Sequence, residues 1–262
     1  MLSLLFALLD RLLVPAPDEA RVGWLRGKAY AHRGLHGTRE HGFVPENSPA
    51  AFALAIQRGM GIECDVQRTA DGQAVVFHDW ELGRLTAETG AVIDRRAADL
   101  TKIPLAGGTD CIPTLRALLD QVGGQVPLLI ELKSKRELRA APLCLAVRRT
   151  LEGYRGPVAV MSFDPRVSRW FARHSPHIAH GLVVTENGSR TLPATLKLHL
   201  SFWQARPQFL AWDVRDLPSK FVATQRWRGM PVLTWTVRSA EHAARAADCA
   251  DGPIAEGAGV GA

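Results

Sequence analysis

Eight short apolar runs, separated by amphipathic stretches, constrain this chain more than any other feature. They fall at residues 29–32, 61–66, 127–133, 158–163, 178–184, 209–214, 231–237 and 253–255. Helical patterning fills the intervals, for example at 48–58, 114–121, 137–151 and 240–247. Near-continuous apolar strands that alternate with helices belong to a parallel sheet covered on its outer face. No Gly-rich fingerprint follows the first run, which favours a closed barrel over an open dinucleotide-binding sheet. The expected fold is therefore α/β, a (β/α)8 TIM barrel over residues 28–262. A chain of 262 residues suits one barrel, whose usual size is roughly 250.

One interval breaks the rhythm. After the second run, residues 67–112 carry the turn signal Asp71-Gly72, then Val75-Val76-Phe77, then His78-Asp79. This pattern predicts a β-hairpin and a small insertion after the second strand.

The net charge of +6 suits anionic ligands or an anionic membrane surface, although a basic solvated surface accounts for it equally well. No run of Lys and Arg is interleaved with aromatics and no zinc-finger spacing occurs, so nucleic acid is not an expected partner. Cys64, Cys111, Cys144 and Cys249 form no CxxC pair. They read as buried thiols in a reducing compartment, which points to the cytoplasm.

The first 27 residues stand apart as an apolar helix and linker. Met1 opens a run that is apolar to Leu9 apart from Ser3, is interrupted by Asp10 and Arg11, and resumes through Leu12, Leu13 and Val14. That is too short to span a bilayer, which takes about 20 apolar residues. No Lys or Arg precedes the run as a secretory signal would require. A retained helix that ends at Pro15 is expected. It either covers the barrel or lies on the inner face of the membrane as a peripheral contact. Its thin polar face, Ser3, Asp10 and Arg11, counts against the membrane, and the positive charge counts for it.

The chemistry begins in Ile62-Glu63-Cys64-Asp65-Val66. Residues two apart in a strand face one side, so Glu63 and Asp65 point together. Two adjacent carboxylates repel and are costly to desolvate, which a bound Ca²⁺ or Mg²⁺ would resolve. A solvated pair at a strand end is the plainer alternative. In Ile130-Glu131-Leu132-Lys133, Glu131 and Lys133 share a face in the same way. Glu131 would complete a three-carboxylate site and Lys133 would hold a phosphate oxygen, unless the two form only a local ion pair. His32 ends the first strand and His78 follows the strand of the insertion. Near a phosphodiester, one histidine can accept a proton from the nucleophile while the other protonates the leaving oxygen. Arg33 offers a planar fork for phosphate, and Gly34 allows a sharp turn. The remaining histidines, His36, His41, His174 and His242 among them, read as structural. Ser48 is expected to cap a helix with Pro49 in its first turn, leaving Glu46 and Asn47 at the barrel mouth. Trp235 either walls the pocket or belongs to the core.

Taken together, these pieces resemble the glycerophosphodiester phosphodiesterase family. The matching segments are His32-Arg33-Gly34, Pro45-Glu46-Asn47-Ser48 with Ala51-Phe52, Glu63-Cys64-Asp65-Val66, Asp71-Gly72 leading to His78-Asp79, Glu131-Leu132-Lys133, Ser162-Phe163 and Trp235-Thr236-Val237. Their order and spacing run over most of the chain. The resemblance implies a barrel with an insertion after its second strand, and metal-dependent hydrolysis of glycerophosphodiesters to sn-glycerol 3-phosphate and an alcohol. It implies a divalent ion, Ca²⁺ or Mg²⁺ ahead of Mn²⁺, on Glu63, Asp65 and Glu131. It also implies acid/base work by His32 and His78 and phosphate contacts from Arg33 and Lys133; Trp235, near the end of its strand, is a candidate substrate contact beside these. The substrate would be a small or lipid-derived phosphodiester. Two departures stand out. The family closes with Thr-Asp after an Asp-Gly, whereas Asp251-Gly252 is followed here by Pro253-Ile254-Ala255-Glu256. The segment before residue 29 has no place in the family's minimal barrel. Competing readings are a lysophospholipase D or sphingomyelinase D-like enzyme on a lipid diester, and an inactive phosphodiester-binding barrel. Intact His32, His78 and three carboxylates argue against the inactive barrel. A metal-independent phospholipase C-like barrel would not need the carboxylate trio.

Overall fold

A computed structural model describes residues 2–39, 42–189 and 191–261. The expectations for Met1 and His41 lie outside these residues. The chain groups into two compact units, residues 30–158 and residues 1–29 with 159–262.

In the first unit, β1 (Tyr30–Ala31) leads to a short antiparallel hairpin of β2 (Gly37–Arg39) and β3 (Gly42–Val44). The sequence patterning did not predict this hairpin. Helix Pro49–Gln57 then starts as expected: the Ser48 hydroxyl accepts the Ala51 N–H at 3.1 Å and Pro49 occupies the first turn. It buries Ala51, Phe52 and Ala55. β4 (Gly61–Arg68) pairs in parallel with β1 and with β6 (Leu128–Leu132). Side chains on both faces of β4 are buried, as a parallel strand inside an α/β fold requires. β4 runs on into an antiparallel hairpin with β5 (Ala74–Val76) around Asp71-Gly72, where Gly72 takes φ +79°. The expected hairpin and insertion are thus present. Residues 67–112 go on to fold around an apolar cluster of their own, from Val75 and Phe77 through Leu82 and Leu100 to Ile112.

The second unit carries five parallel strands paired in sequence order. They are β7 (Val158–Ser162), β8 (Ala179–Val184), β9 (Phe209–Asp213), β10 (Val232–Val237) and β11 (Gly252–Ala255). Helices Pro165–His174, Leu192–Ala205, Lys220–Trp227 and Ala240–Cys249 separate them. β11 forms despite the departure at its sequence, and Glu256 N–H still donates to Val237 O at 3.0 Å. Three parallel strands in one unit and five in the other make the eight of a (β/α)8 barrel, the class expected from the sequence.

Helix Leu2–Leu13 ends just before the prolines and packs against helix Leu192–Ala205 within this second unit. Phe6 stacks on the His199 ring at 4.2 Å between centroids. Asp10 is not on a polar outer face. It is buried, with one oxygen 2.9 Å from His199 Nδ1 and 2.7 Å from the donating Trp203 Nε1, and the other 3.1 Å from the donating Gln225 Nε2. A lone buried carboxylate is tolerable only with partners such as these. No helix among the described residues is long and apolar enough to cross a membrane. None of the four cysteines is in a disulfide. Cys64 and Cys144 are buried, whereas Cys111 and Cys249 are only partly so.

Candidate active site

The site grows from two neighbouring strands. β4 and β6 run in register, with Asp65 opposite Glu131, so the side chains of Glu63, Asp65 and Glu131 converge. One oxygen from each carboxylate lies within 4.8 Å of the others. Burial and the charges of Asp65 and Glu131 hold the Glu63 carboxyl well above its usual range. Burial also raises Glu131. For Asp65 burial acts upward too, but Lys133 and Arg33, then His78 and His32, outweigh it and hold the group low. Three buried oxygen donors with this much mutual repulsion make a fitting cradle for a hard divalent cation.

Two cations flank the trio. Lys133 Nζ donates to Glu131 Oε1 at 3.0 Å and lies 3.6 Å from Asp65 Oδ1. Arg33 occupies the left-handed region at φ +55°. Its backbone N–H donates to Glu63 Oε2 at 3.1 Å, its Nη1 donates to Glu46 Oε1 at 2.7 Å, and its Nε sits 3.3 Å from Asp65 Oδ2. The next residue, Gly34 at φ +77°, lies against helix Pro49–Gln57 so closely that a Cβ would meet Ala51 Cβ at 2.8 Å. The glycine lets the loop fold back beside the carboxylates.

His32 Nε2 lies 4.0 Å from Glu63 Oε2. His78 Nδ1 is 2.6 Å from Asp79 Oδ1. Asp79 is held down at about 2, with Arg84 and His78 outweighing its burial, so it is ionised and can only accept. The His78 Nδ1 therefore carries the hydrogen in the neutral ring, and Nε2 keeps its lone pair. Burial lowers the His78 pKa, a change only partly offset by Asp65, which favours that neutral form.

Several contributors carried no assigned role in the sequence reading. Asn47, at φ +55°, donates from Nδ2 to Asp65 Oδ2 at 3.0 Å and accepts the Asp65 N–H at 3.3 Å. Arg84 links the insertion to the first loop: it donates to Glu46 Oε1 at 2.7 Å and is hydrogen-bonded through Nε to Asp79. A chain of ion pairs thus runs Arg33–Glu46–Arg84–Asp79, and the Asp79 carboxylate extends it to His78 through a hydrogen bond. Gln67, on the same face of β4 as Glu63 and Asp65, donates to Phe77 O at 2.9 Å and Asp79 O at 2.6 Å, fixing the loop that carries His78. Period-two polarity at 63, 65 and 67 in an otherwise apolar strand was the available signal for Gln67. Arg84 left none.

Seven of the eight candidate residues, His32, Arg33, Glu63, Asp65, His78, Glu131 and Lys133, belong to the unit of residues 30–158. Trp235 belongs to the other unit. On β10 its Nε1 donates to Ala211 O at 2.9 Å, and its ring meets Phe163 edge-on at 5.3 Å.

Known proteins share this chain's fold and family. The family model of the glycerophosphoryl diester phosphodiesterases matches residues 32–251. A glycerophosphodiester phosphodiesterase of Caldanaerobacter subterraneus subsp. tengcongensis is 28% identical over 226 residues, covering 82% of this chain and 87% of that protein. An Oleispira antarctica phosphodiesterase, solved in complex with the product sn-glycerol-3-phosphate, superposes with a TM-score of 0.75 at 24% identity, covering 88% of this chain and 93% of that one. A glycerophosphodiester phosphodiesterase of Thermotoga maritima superposes with a TM-score of 0.67 at 23% identity, over 87% and 93% of the two chains.

Proposed function

The chain belongs to the glycerophosphoryl diester phosphodiesterase family and is a glycerophosphodiester phosphodiesterase, and on that premise we propose a metal-dependent hydrolysis that releases sn-glycerol 3-phosphate and an alcohol. The observation that carries the proposal is the convergence of Glu63, Asp65 and Glu131 within 4.8 Å. These three residues would hold the ion. When bound, a Ca²⁺ or Mg²⁺ ion, or Mn²⁺ in their place, supplies Lewis-acid polarisation of a phosphoryl oxygen. Lys133 and Arg33 contribute positive charge for the phosphate. Arg33 does so while its guanidinium also faces Glu46 and Asp65.

His78 enters the reaction neutral, with Nε2 ready to accept a proton from the nucleophile. The Asp79 carboxylate fixes the ring and stabilises the imidazolium that results. His32 takes the complementary role and protonates the leaving oxygen. Arg84 and Glu46 tie the histidine loop to the phosphate-binding arginine. Trp235 is proposed as a substrate contact on its place two residues before the end of β10. The product in the Oleispira antarctica structure supports the glycerol phosphate assignment. We assign residues 28–262 to the catalytic barrel, with 67–112 as its insertion, and 1–27 to an N-terminal addition. Four thiols outside any disulfide suit a cytoplasmic location.

Release of glycerol 3-phosphate from soluble glycerophosphodiesters, with and without chelator, tests this reading. Turnover should vanish in chelator and return with Ca²⁺, Mg²⁺ or Mn²⁺. Full turnover by protein shown to be free of metal refutes the metal dependence. Cleavage confined to micellar lysolipids would transfer the activity to a lysophospholipase D-like enzyme.

A further inference from the structure

Helix Leu2–Leu13 presents two apolar faces, and among the described residues one of them is covered while the other is exposed. Phe6, Asp10 and Val14 turn inward and are buried. Leu4, Leu5, Leu8 and Leu12 are 70%, 51%, 67% and 75% exposed. At about 100° per residue these four fall within one arc of about 100°, opposite the buried face. Trp227 continues the surface at 86% exposure, and it lines a shared groove with Leu4, Leu8, Arg11 and Arg228. Helix Leu192–Ala205, packed against the first helix, adds a second exposed stripe at Leu192, Leu196 and Leu200. A surface with this many large apolar side chains marks an interaction site.

We propose that this leucine face, with Trp227 and the two arginines, docks on an anionic lipid bilayer. The charge pattern selects that occupant. Among the described residues no acidic side chain lines the groove and Arg11 makes no salt bridge, while Arg228 keeps its charge at the groove and is held there by Gln225 Oε1 and by the Asp10 and Val14 carbonyls. A second copy of the chain would meet the patch with the same patch, because a two-fold interface is self-complementary, and would bring four arginines together. An anionic membrane offers hydrocarbon to the leucines, a headgroup region that suits an exposed indole, and negative charge to the arginines. The thin polar face of the helix no longer counts against this. An isolated interfacial helix needs a charged outer side facing water. Here that side is folded onto the protein through Asp10, His199, Trp203 and Gln225. The fold itself holds the leucines outward. The inference does not depend on the catalytic assignment.

Co-sedimentation of the full chain with vesicles tests it, using phosphatidylcholine alone and phosphatidylcholine mixed equally with phosphatidylglycerol. The protein should pellet with the anionic vesicles and be released by salt. Leu4→Ser, Leu8→Ser and Leu12→Ser combined should abolish pelleting without changing turnover of a soluble diester. Arg11→Gln should weaken binding roughly fivefold. A wild-type protein that stays in the supernatant with both vesicle types overturns the proposal. So does a folded triple variant that still pellets, or a concentration-dependent dimer in analytical ultracentrifugation that the triple variant loses. If the triple variant fails to fold, the lipid and salt dependence of the wild type decides alone.

Discussion

Asn47 offers the sharpest test of how the carboxylate trio is held. It is buried, and it both donates to Asp65 and accepts from its backbone. Removing the side chain deletes a bond to a charged acceptor, worth about 2 kcal/mol, and leaves the buried Asp65 N–H without its acceptor, at about 1 kcal/mol more. Asn47 also sits at φ +55°, where an alanine costs about 1 kcal/mol and a glycine costs nothing sterically. Asn47→Ala should therefore destabilise the chain by about 4 kcal/mol and Asn47→Gly by about 3 kcal/mol. Urea unfolding in excess chelator measures both values without interference from bound metal. Because Asp65 loses the group that orients it, divalent-ion affinity by calorimetry should fall about 10–100-fold in both variants. Two variants within 1 kcal/mol of the wild type, or a glycine variant less stable than the alanine one, would refute the reasoning.

His32→Ala and His78→Ala should each lower turnover about 10²–10⁴-fold while leaving the fold intact, and a substrate with a very good leaving group should rescue only His32→Ala. Rescue of His78→Ala instead would reverse the roles. Gly34→Ala should destabilise by about 2–4 kcal/mol, because a Cβ at φ +77° is strained and collides with Ala51; a thermal melt within a degree of wild type would contradict the packing. His180 is buried against the Ser168 hydroxyl, and burial lowers its pKa from 6.5 to about 4. The unfolded chain therefore binds the proton first. This contribution to stability is complete above pH 6.5 and is lost progressively as the pH falls to about 4, by about 3 kcal/mol in all. Unfolding curves across that window should slope more steeply for wild type than for His180→Gln, and equal slopes would overturn the assignment.

The strands were legible because each is a nearly unbroken apolar run. Runs such as 61–66 and 209–214 reappear as β4 and β9 with ends shifted by a residue or two. The carboxylates were legible because period two places Glu63, Asp65 and Gln67 on one face, and register then brings Glu131 opposite Asp65. What could not be read depends on contacts distant in sequence. Arg84 meets Glu46 across 38 positions, from an insertion with no periodic pattern to announce it. Asp10 looked like solvent-facing polarity because the apolar run does not say which side of the helix has a partner. Its acceptors' donors lie about 190 to 215 positions away. The hairpin β2–β3 is only three residues a side, below the length at which alternation is detectable.

Residues 67–112 possess a hydrophobic cluster drawn entirely from their own stretch of chain. Strand β5 of this segment also pairs with the chain just beyond it, since Val76 N–H donates to Pro113 O at 2.9 Å and Val75 bridges Thr114. The segment is therefore a cassette. It has an apolar core of its own and carries His78, Asp79 and Arg84 of the candidate site. Exchange of this cassette between relatives would therefore move His78 and its partners Asp79 and Arg84 as one unit, while leaving Glu63, Asp65 and Glu131 on their strands untouched.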